Sequence, residues 1–195
     1  IASEGYCAVE TICFFDADLD PTRWRSLLDQ YKLGLIVQVH TASDWSKGDY
    51  CTSAEVEDHV DSFRKLVAKA LTHKPQIINV HSGHDSWDTD TAVGYFQRVL
   101  EIERELLADS GITLVHETHR QRQLFSPYQT KALLARPELA ALKLNCDLSH
   151  WVTVCEKLFC PEEDPRDKWW PSVLATTAKH CHLIHLRVGH PEGPQ

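Results

Sequence analysis

Six short apolar runs in this chain each close on a residue able to bind a proton or a metal: Glu10, His40, His81, Glu117, Asp147 and His185. Successive members stand roughly 30 to 40 residues apart, the length of one strand-plus-helix unit. Alternate residues of a strand share a face. Two before each of these residues come Ala8, Gln38, Asn79, Val115, Asn145 and Leu183, while the opposite face carries Val9, Val39, Val80, Leu114, Leu144 and Ile184. One face is therefore apolar throughout, as packing against helices requires, and the other turns polar toward the carboxyl end.

Between the runs lie amphipathic stretches with start and stop signals. Asp20-Pro21 opens a helix to about Tyr31, since Pro suits the first helical turn. Thr52-Ser-Ala-Glu55 and Ser126-Pro-Tyr-Gln129 read as capping boxes. Val56, Val60, Phe63, Val67 and Leu71 form a helical stripe behind the first, and Gly111 ends the helix that carries Val93, Phe96, Leu100 and Leu107. The predicted strands are 8–13, 33–40, 76–81, 112–117, 139–146 and 181–187, with short helices over 148–160 and 171–180. Strand and helix alternate, so the class is α/β with a parallel sheet. A (β/α)8 TIM barrel gathers chemistry at the carboxyl ends of its strands. Six strands suggest strands two to seven of such a barrel, a single domain over residues 1–195 incomplete at both ends, against ~250 residues for a typical one. The competing architecture is an open α/β sheet. No GxGxxG or phosphate loop follows a strand, which lowers the odds of a nucleotide-binding fold.

The net charge of −8, with no basic tail, argues against a broad nucleic-acid or anionic-membrane surface. No run approaches the ~20 apolar residues of a membrane span, and IASEGYCAVE lacks the regions of a signal peptide. Seven scattered cysteines without a CxxC pair suit a reduced compartment and mostly buried thiols, with Cys155 and Cys160 the one pair placed for a bridge or an ion. The expected setting is cytoplasmic.

In Ile112–His119, ITLVHETH, a carboxylate stands between two imidazoles at the end of a strand. Glu117, Asp147 and His185 sit on different strands and offer a mixed oxygen and nitrogen set suited to Mn, Mg, Zn or Co as divalent ions. His40 and His81 are second-tier members, each equally readable as a hydrogen-bonded pocket histidine. His150 follows Asp147 at i+3. Arg187 shares the parity of His185 and suits a substrate oxygen or a structural ion pair. Trp87, Trp45 and Trp151 follow strands, placed either to wall a sugar pocket or to pack. His116, His182 and Cys146 have the opposite parity and face helices, and Trp169-Trp170 reads as a packing anchor.

At these residues the chain resembles the xylose-isomerase-like TIM barrels, the sugar phosphate isomerase/epimerase superfamily. The carrying pieces are AVETI at 8–12, INVHSGHD at 78–85, VHETHR at 115–120, KLNCDLSHW at 143–151 and IHLRVGHPEGPQ at 184–195. The resemblance implies a metal held by a Glu, an Asp and a His after successive strands, matched by Glu117, Asp147 and His185, with a fourth acidic ligand that has no counterpart within these residues. It implies substrate contacts from His150 and Arg187, and a catalytic proton-shuttling role for Glu117. The expected activity is a metal-dependent isomerisation or epimerisation of a sugar, sugar phosphate or hydroxy-carbonyl compound through an enediolate. Substrate contacts are assigned to His150, Arg187, His81, His40 and Trp87. The expected partner is a small sugar-like molecule, with no nucleic acid and no membrane; homo-oligomerisation is left open. Two alternatives stand beside this. One is a zinc-dependent apurinic-site endonuclease, whose ligands His40, His81, Glu117, Asp147, His150 and His185 would largely mimic, although the expected Asp-x-His after the last strand is replaced by Arg187-Val-Gly-His-Pro. The other is a non-catalytic sugar-binding barrel.

Overall fold

A computed structural model of the chain describes residues 2–12, 20–43 and 53–187. Its six strands are β1 (Ala8–Ile12), β2 (Gly34–His40), β3 (Ile77–His81), β4 (Thr113–Glu117), β5 (Leu144–Cys146) and β6 (Cys181–Ile184). All pair in parallel, in sequence order. The helices are α1 (Pro21–Gln30), α2 (Val56–Leu71), α3 (Thr89–Leu107), α4 (Pro127–Leu134), α5 (Ser149–Cys155) and α6 (Trp170–Ala178).

The sheet is curled. Neighbouring strands lie about 4.8 Å apart, so a flat sheet would hold its first and sixth strands ~24 Å apart. Yet the side chain of Glu10 on β1 meets that of His185, one residue past β6, at 2.7 Å. The two ends of the sheet therefore face each other across a lumen, as in a barrel wall.

Parity decides which side chains face that lumen. Leu35, Val37, Val39, Ile78, Val80, Leu114, Leu144 and Cys146 point outward and are buried with Val60, Phe63, Leu66 and Val67 of α2 and Val93, Phe96 and Val99 of α3. Each such side chain contributes ~1.5–3 kcal/mol, so this layer anchors the strands. His116 shares their face and is wedged between the rings of Phe63 and Phe96, its Nδ1 bonded to Ser82 Oγ at 2.6 Å. His182, also expected to face helices, is exposed.

Helix entries follow local chemistry. Asp20 caps α1 by accepting from Thr22 N, and Ser126 caps α4 by accepting from Gln129 N, each ahead of a Pro at the first position. At α2 the predicted capping box is replaced. The helix starts at Val56, Glu55 makes no side-chain cap, and Ser53 Oγ instead accepts from Glu55 N and donates to Asp58. Thr52 lies outside the described residues, as do Trp45, Cys13, Cys51 and the terminal loop from Val188.

Three predicted elements are shorter than expected. The strand expected over 139–146 pairs only near its end, because Pro137–Leu139 forms a 3-10 turn that buries Leu139. The helix expected over 148–160 stops at Cys155, where Glu156 takes a left-handed φ of 48° and Lys157 then ties the next loop through Asp164 and Asp167. The third helix ends at Leu107, four residues before Gly111. Trp169 and Trp170 pack with Phe159, Tyr128 and Trp151, as an anchor should. The thiols were expected to be mostly buried. Among the described residues all five are free, and only Cys146 is buried. No helix of the described residues is long and apolar enough to cross a membrane.

Candidate metal centre

The carboxyl ends of the strands bring Glu117, Asp147, His81, His150 and His185 of the predicted set together with Asn79, Asn145 and His119, which the prediction did not use as site residues. Glu117, last residue of β4, is buried. Its Oε2 accepts from Asn79 Nδ2 at 2.5 Å, His81 Nε2 at 2.9 Å and Asn145 Nδ2 at 3.0 Å. Both asparagines sit on lumen positions of β3 and β5, so strand register aims three donors at one oxygen. Burial alone would raise the Glu117 carboxyl, but the charge of His81, then hydrogen bonds from His185 and His81, hold it far below the usual carboxylate range. A carboxylate kept ionised inside protein is what a cation site requires.

Asp147 follows β5 and is fully buried. Its Oδ1 accepts from the Ser149 amide and hydroxyl, which start α5, and its Oδ2 accepts from Arg187 Nη2 at 2.5 Å. His150 on α5 projects between the two carboxylates, its Nε2 3.8 Å from Glu117 Oε1 and 3.6 Å from Asp147 Oδ2. Neither of its ring nitrogens makes a hydrogen bond, although the residue is buried. His185 places Nδ1 3.5 Å from Glu117 Oε2 and 3.9 Å from Asp147 Oδ2. The predicted trio Glu117, Asp147 and His185 thus converges.

The His150 separations and that between His185 and Asp147, at 3.6 to 3.9 Å, are too long for hydrogen bonds. They fit atoms sharing one ion through bonds of ~2.0–2.2 Å. Buried nitrogens without hydrogen-bond partners, facing carboxylate oxygens, are the expected state of a ligand set without its ion. Donor atoms of Glu117, Asp147 and His150 all lie within 4.8 Å of one another, as do those of His81, Glu117 and His119. The residues present therefore fit a divalent cation, with Glu117 common to two candidate positions.

His119 was overlooked as a site residue, though its signal was in the sequence: it stands two after Glu117, on the same parity. Its Nδ1 bonds to the Arg120 carbonyl at 2.6 Å, so the ring donates there and presents Nε2 to the site. His40, His81, His119 and His150 form a row, with ring centroids 4.0, 4.3 and 3.9 Å apart. Burial is the main reason three of them, His40, His119 and His150, resist protonation. It pulls His119 down to about 2 and His150 to about 4, and takes His40 lower still, each with help or opposition from neighbouring charges. His185 differs: burial opposes its charge, but Glu10 and Glu117 outweigh that and raise it to about 10.

Two of the expected substrate contacts take other places. Trp87 is only 8% exposed and lies in the core. Its indole packs on His59 and Tyr95 and donates to the Ala54 carbonyl at 2.6 Å. Gly83, with φ of +70°, leaves room for the ring there: a Cβ would meet Trp87 at 2.8 Å. Trp151 is likewise buried and donates to the Leu124 carbonyl. Arg187 is engaged with Asp147, the ion-pair reading of that residue.

No family model matches the sequence, and no curated protein is significantly similar to it. Solved structures share its fold. The chain is similar to the probable 3-DHS dehydratase AsbF involved in petrobactin synthesis from Bacillus anthracis, with TM-score 0.58 and 18% identity over 94% of this chain and 64% of that one. It is similar to a D-allulose 3-epimerase from Methylomonas sp., with TM-score 0.59 and 16% identity over 94% and 62%. It is also similar to an AP endonuclease, family 2, from Brucella melitensis, with TM-score 0.54 and 19% identity over 98% and 86%. The chain has the fold of the xylose-isomerase-like TIM barrels, and it spans about 64% of the length of AsbF.

Proposed function

We propose that the protein is a metal-dependent isomerase or epimerase acting on a small sugar or hydroxy-carbonyl compound. The observation that carries the reading is a buried centre in which an ionised Glu117 stands with Asp147 beside His119 and His150, two imidazoles that burial keeps neutral. A neutral imidazole offers one donor and one lone pair, which suits a cation or a hydroxyl group. His119 and His150 therefore give no charge to draw in a phosphodiester, and neither does a chain of net charge −8. Glu117, Asp147 and His185 would hold the ion, with His150 within reach. When bound, a divalent ion would polarise the substrate carbonyl and offset the negative charge that develops on its oxygen.

The chain's own groups do the rest. Glu117 accepts the proton from the carbon beside the carbonyl, through the oxygen that faces His150. The three donors on Oε2 fix the carboxylate in place for that transfer, and they also weaken it as a base. His119 and His150 orient substrate hydroxyls. The experiment is solvent deuterium exchange: the protein is loaded with Mn²⁺, Co²⁺ or Zn²⁺, mixed with a panel of ketoses and followed by NMR for deuterium beside the carbonyl. Exchange with at least one sugar is expected. No exchange with any ion would reject the reading.

One observation favours a second reading. His81, Glu117 and His119 could hold a further ion beside the Glu117, Asp147 and His150 position, and paired ions sharing a carboxylate suit phosphodiester hydrolysis. Cleavage of an abasic duplex in the same assay series, without ketose exchange, would select it.

A further inference from the structure

We propose that Glu10 is a positioning residue of this centre: its carboxylate fixes the ring of His185 so that Nδ1, not Nε2, is the atom offered to a metal. The inference rests on the metal reading above and deepens it.

Glu10 lies on the lumen face of β1, at the opposite end of the sheet from His185. Its Oε2 is 2.7 Å from His185 Nε2. An ionised carboxylate can only accept, so Nε2 carries the hydrogen and donates it. The other ring nitrogen, Nδ1, is the one that points to Glu117 and Asp147, at 3.5 and 3.9 Å. The metal-free ring, charged between Glu10 and Glu117, also holds a proton on Nδ1; an ion displaces that proton, and with the other hydrogen kept on Nε2 the lone pair it meets is on Nδ1. Carboxylates that hold a ligating histidine in this way fix both its tautomer and its ring rotation.

Glu10 is itself held. Its Oε1 accepts from Asn79 Nδ2 at 3.0 Å, and the same amide nitrogen donates to Glu117 Oε2 at 2.5 Å. The two hydrogens of one amide thus tie Glu10 and Glu117 into a single frame. His185 needs this support more than the other histidines do. It stands past the end of β6 and is half-buried, whereas His150 and His81 are enclosed. Without Glu10 the ring would be free to turn, and an ion would have to order it on binding.

The test measures Co²⁺ and Zn²⁺ affinity by competition with a chromophoric chelator, with the Co²⁺ absorption spectrum as a report on the ligands. Wild type, E10A, E10Q and D147A are compared, and circular dichroism checks the fold. E10A should bind ~10–100-fold more weakly with an altered Co²⁺ spectrum. E10Q should fall between E10A and wild type, since its amide oxygen still accepts from Nε2. Wild-type affinity and spectrum in both Glu10 variants, with D147A impaired, would overturn the role of Glu10 and leave the metal reading standing. No ion uptake by wild type would remove both. If E10A does not fold, ¹⁵N NMR of the zinc-loaded wild type and E10Q decides: ligation through His185 Nδ1 supports the proposal, and ligation through Nε2 overturns it.

Discussion

Arg187 donates to Asp147 Oδ2 across 2.5 Å, at the oxygen that also faces His150 and His185. A guanidinium therefore occupies one side of a carboxylate that an ion would share. Its charge competes with a cation for the same oxygen, while its hydrogen bond steadies a fully buried acid. We expect R187M to bind Zn²⁺ or Co²⁺ more tightly than wild type and to be less stable without metal. Arg187 is more than a third exposed, so the loss should be about 1 kcal/mol after solvent screening. Chelator competition and urea unfolding measure the two effects. Weaker metal binding in R187M would show that Arg187 supports the ligand set and does not compete with it.

Glu117 carries the next expectation. E117Q keeps the shape of the side chain and one acceptor oxygen for Asn79 and Asn145, but it can neither bind a cation well nor take a proton. Turnover should fall by at least ~10²–10⁴, with a smaller change in sugar binding measured by calorimetry. Near-normal deuterium exchange in E117Q would take the proton-transfer role away from this residue.

Stability should depend on pH through histidines buried away from the centre. Burial lowers His59 to about 4, with the Ser53 carbonyl opposing, and lowers His116 to about 3. In the unfolded chain both protonate near 6.5. Between about 6.5 and 4 the unfolded state therefore binds more protons, and stability falls as pH falls, by up to ~1.4 kcal/mol per pH unit for each group. Urea midpoints measured from pH 7 to 4.5 should drop steadily, and H59Q should flatten the slope. A midpoint that does not move across this range would contradict the burial of these rings.

The sequence exposed the frame of the site because strand parity is a strict period of two. Six apolar runs ending on ionisable residues were enough to place Glu117, Asp147 and His185 on one side of one sheet. What it hid were partners set by distance across the lumen. Nothing local to Glu10 says that it meets a histidine 175 residues away, and nothing around Asn79 says that its amide spans two carboxylates. Trp87 went the other way: its place after a strand suggested a pocket wall, but the indole lies in the core against Gly83, which has no Cβ to keep it out. The missing half of the fifth predicted strand has a similar origin. An apolar stretch such as Leu139–Leu144 satisfies burial equally well as a turn followed by a short strand.

The last expectation concerns the edges of the sheet. Among the described residues β1 pairs only with β2, and β6 only with β5. Each leaves a row of backbone donors and acceptors that invites another strand. Apolar surface accompanies both edges. A cavity of 620 Å³ opens between β1 and α1, lined by Val9, Trp24, Leu27, Leu28 and Leu33. Near β6, Ile184 is 56% and Leu186 91% exposed. Lumen residues Ile36, Ile77 and Leu183 are only half-buried, whereas their outward neighbours Val37 and Ile78 are fully enclosed. Each fully buried aliphatic side chain is worth ~1.5–3 kcal/mol, against ~5–15 kcal/mol for a whole domain, so several such shortfalls weigh heavily. A polypeptide of residues 1–195 should therefore self-associate or unfold over a broad denaturant range. Sedimentation velocity and urea titration followed by tryptophan fluorescence test this together. A monodisperse monomer with a single sharp transition would show that these edges are tolerated, and that β1 and β6 need no further strand to stabilise them.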